Sequence, residues 1–177
     1  MRILITISLL FLSSAMCFGS PPKGDLQYTR WANYRYGYEF ELPDIGLIPG
    51  SESRNEEGRE FVSGDRKLTI SVWGTENHGQ RSVKRMCSDM VLSFGTASKV
   101  THRQVTQTGF TVSGQLNVRE FYFIRSIYHD GKFFTVFIRY PKPDSVHFEP
   151  IVKHIAESFR YAPSWIGKGS GTEKAGE

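Results

Sequence analysis

The chain has 177 residues, with 22 Lys and Arg against 18 Asp and Glu and a formal net charge of +4. That length holds one ordinary domain with flanking segments and is enough to bury a core without disulfide support. The charge is mild and interspersed, which excludes both the broad basic footprint of a nucleic-acid binder and the charge excess of a disordered chain. Nucleic acid is therefore not an expected partner, and the densest cationic stretch, with Arg81, Lys84 and Arg85, reads as the solvated face of a helix.

Arg2 is followed by an uncharged, mostly aliphatic run, Ile3 to Leu12, and then by the small residues Ser13, Ser14 and Ala15. This order is that of a secretory signal peptide over residues 1–19, and the apolar run is about half the roughly 20 residues of a membrane span. Met16 stands where a lipid-attachment signal has Gly, Ala or Ser, whereas cleavage after Cys17 or after Gly19 satisfies the small-x-small rule. Cys17 is expected to leave with the leader. The mature chain, secreted or periplasmic, then keeps one cysteine, Cys87, and has no intramolecular disulfide and no transmembrane span. Residues 20–27 read as a flexible linker, 28–163 as a single domain, and 164–177, rich in Gly, Ser, Lys and Glu, as a disordered tail.

Within the domain, residues 28–36 and 38–42 are aromatic-rich strands meeting at Gly37. Residues 43–58 carry two prolines, two internal glycines and a polar run, which suggests a long loop. Residues 59–63 and 67–73 flank Gly64-Asp65-Arg66 as a hairpin, and Leu68, Ile70 and Val72 alternate with Thr69, Ser71 and Trp73. The period then changes. Val83, Met86, Cys87, Met90, Val91 and Phe94 recur at helical spacing, and Cys87 in that stripe behaves as a small buried hydrophobe. Strands resume at 99–107, 110–114, 118–128 and 132–140, the last two joined by Asp130-Gly131, a favoured two-residue hairpin turn. Both carry apolar residues on both faces, as central, doubly covered strands do. A helix over 144–160, with Phe148, Ile151, Val152, Ile155 and Phe159 as its buried stripe, ends the domain. The order predicts an α+β fold: a mainly antiparallel sheet with two principal helices packed on it.

Arg35-Tyr36-Gly37-Tyr38, the stretch from Gly58 to Asp65, Ile138-Arg139-Tyr140-Pro141 and the stretch from Phe148 to Phe159 together resemble a group of small exported bacterial proteins. Those proteins are similar to PsbP-like α/β sandwiches. The resemblance implies that fold over nearly the whole domain and brings no catalytic residues with it. Where members continue the Ser-x-Asp turn with Gly, this chain has Arg66.

The residues themselves give no catalytic signature. The histidines, at 78, 102, 129, 147 and 154, are scattered, and His-Glu-x-x-His, P-loop and Gly-x-Ser-x-Gly patterns do not occur. No cofactor and no metal are expected. The aromatic load is high, with 13 Phe, 8 Tyr and 3 Trp. Among these, Tyr36, Tyr38 and Trp73, at strand ends or on less apolar strand sides beside the 43–58 loop, are the candidate binding residues, since Tyr and Trp make good partner anchors. The reading is a non-enzymatic binding or accessory protein of the cell envelope, with an envelope protein or ligand as partner. The alternative is a small hydrolase whose site assembles only in three dimensions.

Overall fold

The computed structural model describes residues 26–55 and 57–168. The leader, its two cleavage positions and Cys17 lie outside the described residues, as does the tail from 169 onward.

Among the described residues ten strands and two α-helices follow one another as β1 (Tyr28–Asn33), β2 (Tyr38–Pro43), β3 (Leu47–Pro49), β4 (Gly58–Ser63), β5 (Thr69–Glu76), α1 (Val83–Ser93), β6 (Lys99–Val105), β7 (Gly109–Gln115), β8 (Glu120–His129), β9 (Lys132–Pro141), α2 (Ser145–Ser158) and β10 (Arg160–Tyr161). Seven strands form an antiparallel sheet in the order β3-β4-β5-β9-β8-β7-β6, and β1-β2-β10 form a second, small sheet. The expected α+β class with a mainly antiparallel sheet and two helices is the observed one.

The β8–β9 hairpin closes as the Asp-Gly pair dictates: Asp130 (φ 45°) and Gly131 (φ 72°) both take the left-handed conformation, and His129 pairs with Lys132. Central position explains why β9 is apolar on both sides. One set of its residues, Phe134, Val136 and Ile138, meets Tyr38 and Phe40 of the small sheet and Ile151, Ile155 and Phe159 from the α2 side in the main core. The other set includes Phe133, which packs with Val112, Tyr122 and Ile124 beneath Val83 and Cys87 of α1. The seven-stranded sheet is thus covered by α2 and the small sheet on one face and by α1 on the other. Cys87 is a free, fully buried thiol in the second core.

Helix α1 starts where Ser82 Oγ accepts from the Arg85 amide, and it stops at Gly95, whose φ of 76° lets the chain turn away. Helix α2 is shorter than its apolar stripe predicts. Phe159 turns extended (ψ 117°), so its ring enters the core while Arg160 joins β10 opposite Glu39. Two further differences concern segments of little apolar periodicity. The 43–58 loop contains β3, paired with β4 at Leu47↔Ser63. The start of the segment read as tail is packed on the domain: Trp165 meets Tyr34 edge to face and donates through Nε1 to Glu39.

Candidate functional site

The three aromatic residues singled out in the sequence have different fates. Tyr38 is fully buried and Tyr36 nearly so, at 0% and 4% exposure, so neither ring offers contact surface. This corrects their assignment as binding residues. The physical reason is that the small sheet lies on the large one, so β2 turns Tyr38 and Phe40 together into the main core against Phe134, Phe159 and Phe61. Tyr36 folds over Gly74, where a Cβ would come within 2.6 Å of its ring. Tyr38 instead positions the neighbouring loop. Its hydroxyl donates to the Glu57 carbonyl at 3.0 Å, and the Gly74 amide donates to the same oxygen at 2.8 Å. Burial raises the Tyr38 hydroxyl far above the usual phenol range, so it remains a donor.

Trp73 is the member of the three that stays half-buried. It lies on the α1 face of β5 and lines two concave surfaces. One is an apolar groove of about 330 Å³ shared with Met86, Met90 and Phe94 of α1 and Phe137 of β9. The Phe94 and Phe137 rings stack there with centroids 5.4 Å apart, and Asp89 at the rim is held by Arg85 at 2.9 Å. The other is a hollow, also about 330 Å³, bounded by the loop and lined by Glu57, Glu60 and Ser71 beside the Trp73 ring. The loop wall is built by its own hydrogen bonds: Ser53 Oγ accepts from the amides of Glu57 and Gly58 at 2.8 and 3.1 Å. Arg59 is paired with Glu52 at 3.2 Å. Among the described residues Glu57 and Glu60 are in no ion pair, which leaves the hollow net negative.

Met86, Met90 and Phe94 were legible as the apolar stripe of α1, but that stripe predicts core. The sheet beneath α1 extends past the helix on the β5 side, so these residues and Phe137 stay partly open instead of closing over Trp73. Periodicity carries the face of a helix and not the extent of what it covers.

The histidines are separate from this surface. His78, His102, His129 and His147 are exposed. His154 bonds Glu41 at 2.7 Å and stacks on Tyr28 at 3.5 Å, joining α2 to the small sheet. Ser158, one turn further on, accepts from the Glu41 amide and donates to the Ile155 carbonyl, each at 3.0 Å. Its hydroxyl is held by the backbone and not by the imidazole, so His154, Glu41 and Ser158 do not form the base-to-nucleophile bond of a hydrolase. Among the described residues no group of three or more His, Cys, Asp or Glu side chains could hold a metal ion, and no helix is long and apolar enough to cross a membrane.

No protein-family model matches the chain, and no curated protein matches its sequence. Solved structures do match. The chain is similar to cyanobacterial PsbP (CyanoP) from Synechocystis, with a TM-score of 0.60 and 17% identity over 81% of this chain and 98% of that one. It is also similar to Mog1p, a Ran-binding protein of Saccharomyces cerevisiae, with a TM-score of 0.54 and 13% identity over 80% of this chain and 100% of that one. At these identities the likeness concerns the fold. The chain has a PsbP-like α+β fold.

Proposed function

We propose that the chain is an exported cell-envelope protein with a non-enzymatic binding or accessory role, and that Trp73 anchors a partner protein. One observation carries the reading: the half-buried Trp73 ring is shared by two concave surfaces, an apolar groove and a hollow lined by the carboxylates of Glu57 and Glu60, which are in no ion pair among the described residues. A rigid aromatic at the centre of a contact, flanked by an apolar pocket, is the usual form of an interface hot spot. Methionines beside aromatic rings suit such a groove, because the unbranched thioether adapts to the side chain it receives.

The chemistry of the partner follows from the two surfaces. An extended segment crossing Trp73 would place a large apolar side chain in the Met86–Met90–Phe94–Phe137 groove and a cationic one toward Glu57 and Glu60. Export is supported by the leader at residues 1–19, with cleavage after Cys17 or Gly19. The fold is compatible with a binding role, since Mog1p, which shares it, is a Ran-binding protein.

Affinity capture from an envelope extract tests the proposal with three chains, wild type, Trp73→Ala and Ile48→Ala. A protein held by wild type and by the control Ile48→Ala, on the exposed β3 edge, but lost from Trp73→Ala supports it. Equal recovery by all three, or recovery of no protein even with crosslinking, would overturn it.

A further inference from the structure

On the face of the large sheet that α2 partly covers, β6, β7 and β8 carry a polar row. Gln104 stands opposite Thr111, and Thr111 opposite Arg125, so the three side chains lie side by side on one face. They line a cavity of about 380 Å³, within the size range of small-molecule sites. Tyr161 of β10 and His129 form another wall, their rings 4.2 Å apart, and Tyr161 is itself stacked on Phe134 of the core. Gly109 lies at the cavity too, and a Cβ there would come within 2.2 Å of the Ser126 carbonyl oxygen. This part of the wall is held bare.

The electrostatics have one sign. Arg125 is half-buried, and among the described residues its guanidinium is in no ion pair and no hydrogen bond. Arg59, another half-buried arginine, is by contrast paired with Glu52. No acidic side chain lines the cavity, and the nearby Asp130 carboxylate, 3.3 Å from His129, is exposed to solvent. A partly desolvated guanidinium without a counter-ion, beside neutral hydroxyl and amide donors, is arranged for a fork-shaped contact to an anion.

We propose that this cavity binds a small organic oxyanion, a carboxylate or a phosphate ester. Arg125 is its anchoring cation, Thr111 and Gln104 are neutral donors, and the Tyr161–His129 pair is the wall against the ligand's carbon frame. The site lies on the opposite face of the sheet from the Trp73 groove and uses none of its residues, so the two proposals stand or fall separately.

Amide NMR on the purified chain, titrated with phenyl phosphate, benzoate and neutral benzyl alcohol, tests it. Saturable shifts at Gly109, Thr111 and Arg125 with an anion and not with the alcohol are expected. A response to phenyl phosphate alone assigns a phosphate ester, and one to benzoate alone a carboxylate. Arg125→Gln should weaken binding by roughly tenfold or more. Arg139→Gln, on an exposed position of the other face, should leave it unchanged. Thr111→Val gives a second reading, with a smaller loss, should the spectrum of Arg125→Gln show a disturbed fold. Absence of saturable shifts at these residues with either anion, or equal affinity in wild type, Arg125→Gln and Thr111→Val, would overturn the proposal.

Discussion

Gly58 stands opposite Trp73 across β4 and β5, and its missing side chain lets the strands close there. A Cβ on Gly58 would lie 2.1 Å from the Val72 carbonyl oxygen and 2.7 Å from the Trp73 Cα and Cβ. The Trp73 surface therefore depends on a bare position on the neighbouring strand. Gly58→Ala forces β4 and the loop away and is expected to cost about 1–3 kcal/mol, the range for overpacking. Gly64 has open space at its Cβ position and no positive φ, so Gly64→Ala should be neutral or stabilising by up to about 1 kcal/mol. Denaturant midpoints of the two variants check the contrast.

The turn after β4 gives a second prediction. Ser63, Asp65 and Lys67 are tied together, with Ser63 Oγ donating to Asp65 at 2.6 Å and the Lys67 amide donating to the same carboxylate oxygen at 3.1 Å. That geometry leaves Arg66 with a φ of 59°, a conformation that costs a non-glycine residue about 1 kcal/mol or more. Arg66→Gly is expected to stabilise the protein by a few tenths to about 1 kcal/mol, part of the gain being offset by the entropy of glycine in the unfolded chain. A lower midpoint than wild type would contradict it.

Glu39 is a buried carboxylate, and Arg160 and Trp165 satisfy it: Arg160 Nε donates at 2.6 Å, and the Trp165 Nε1 donates to its other oxygen. Removing a donor leaves charge behind in the core's margin. Arg160→Met and Trp165→Phe are each expected to cost about 1–3 kcal/mol in urea unfolding. A chain ending at Ala162 loses the Trp165 contact as well as Ile166, which lies over Gly37, and should unfold earlier than Trp165→Phe.

Burial raises the Cys87 thiol above its ordinary range, with Arg103 pulling it partly back. Above the unfolded thiol value of ~8.5 the unfolded chain has lost a proton that the folded chain still holds. Stability is therefore full below that pH and falls as pH rises toward and through the raised folded value. The raised Tyr38 hydroxyl adds a fall of the same sign above pH ~10. Unfolding midpoints between neutral and alkaline pH should decline less steeply in Cys87→Ala than in wild type, although the variant starts lower because of its cavity. Parallel slopes would show that the thiol contributes nothing.

Where periodicity was strong, the sequence reading and the structure agree closely. The β4–β5 and β8–β9 hairpins, the apolar stripe of α1 and the buried Cys87 all follow from alternation of two, spacing of three and four, and Asp-Gly turn chemistry. The resemblance in turns and strand ends led to the PsbP-like fold that CyanoP shares. What escaped depends on contacts distant in sequence. β3 hides between prolines because an edge strand of three residues has no alternation to read. Tyr36 and Tyr38 read as surface aromatics because nothing local shows that β1, β2 and β10 lie over the large sheet. The Arg125 cavity gathers residues from 104 to 161, which only the strand order brings together.

The binding role proposed for the chain requires a partner protein docked on Trp73 and the groove beside it. Site-specific photocrosslinking in intact cells tests it most directly, with p-benzoylphenylalanine placed at Met90 in the groove and, separately, at Val146, which is 85% exposed on α2. A discrete crosslinked species of one mass is expected from position 90, suppressed when Trp73→Ala is introduced into the same chain, and none from position 146. The same adducts from both positions, or an adduct at 90 that survives Trp73→Ala, would contradict it.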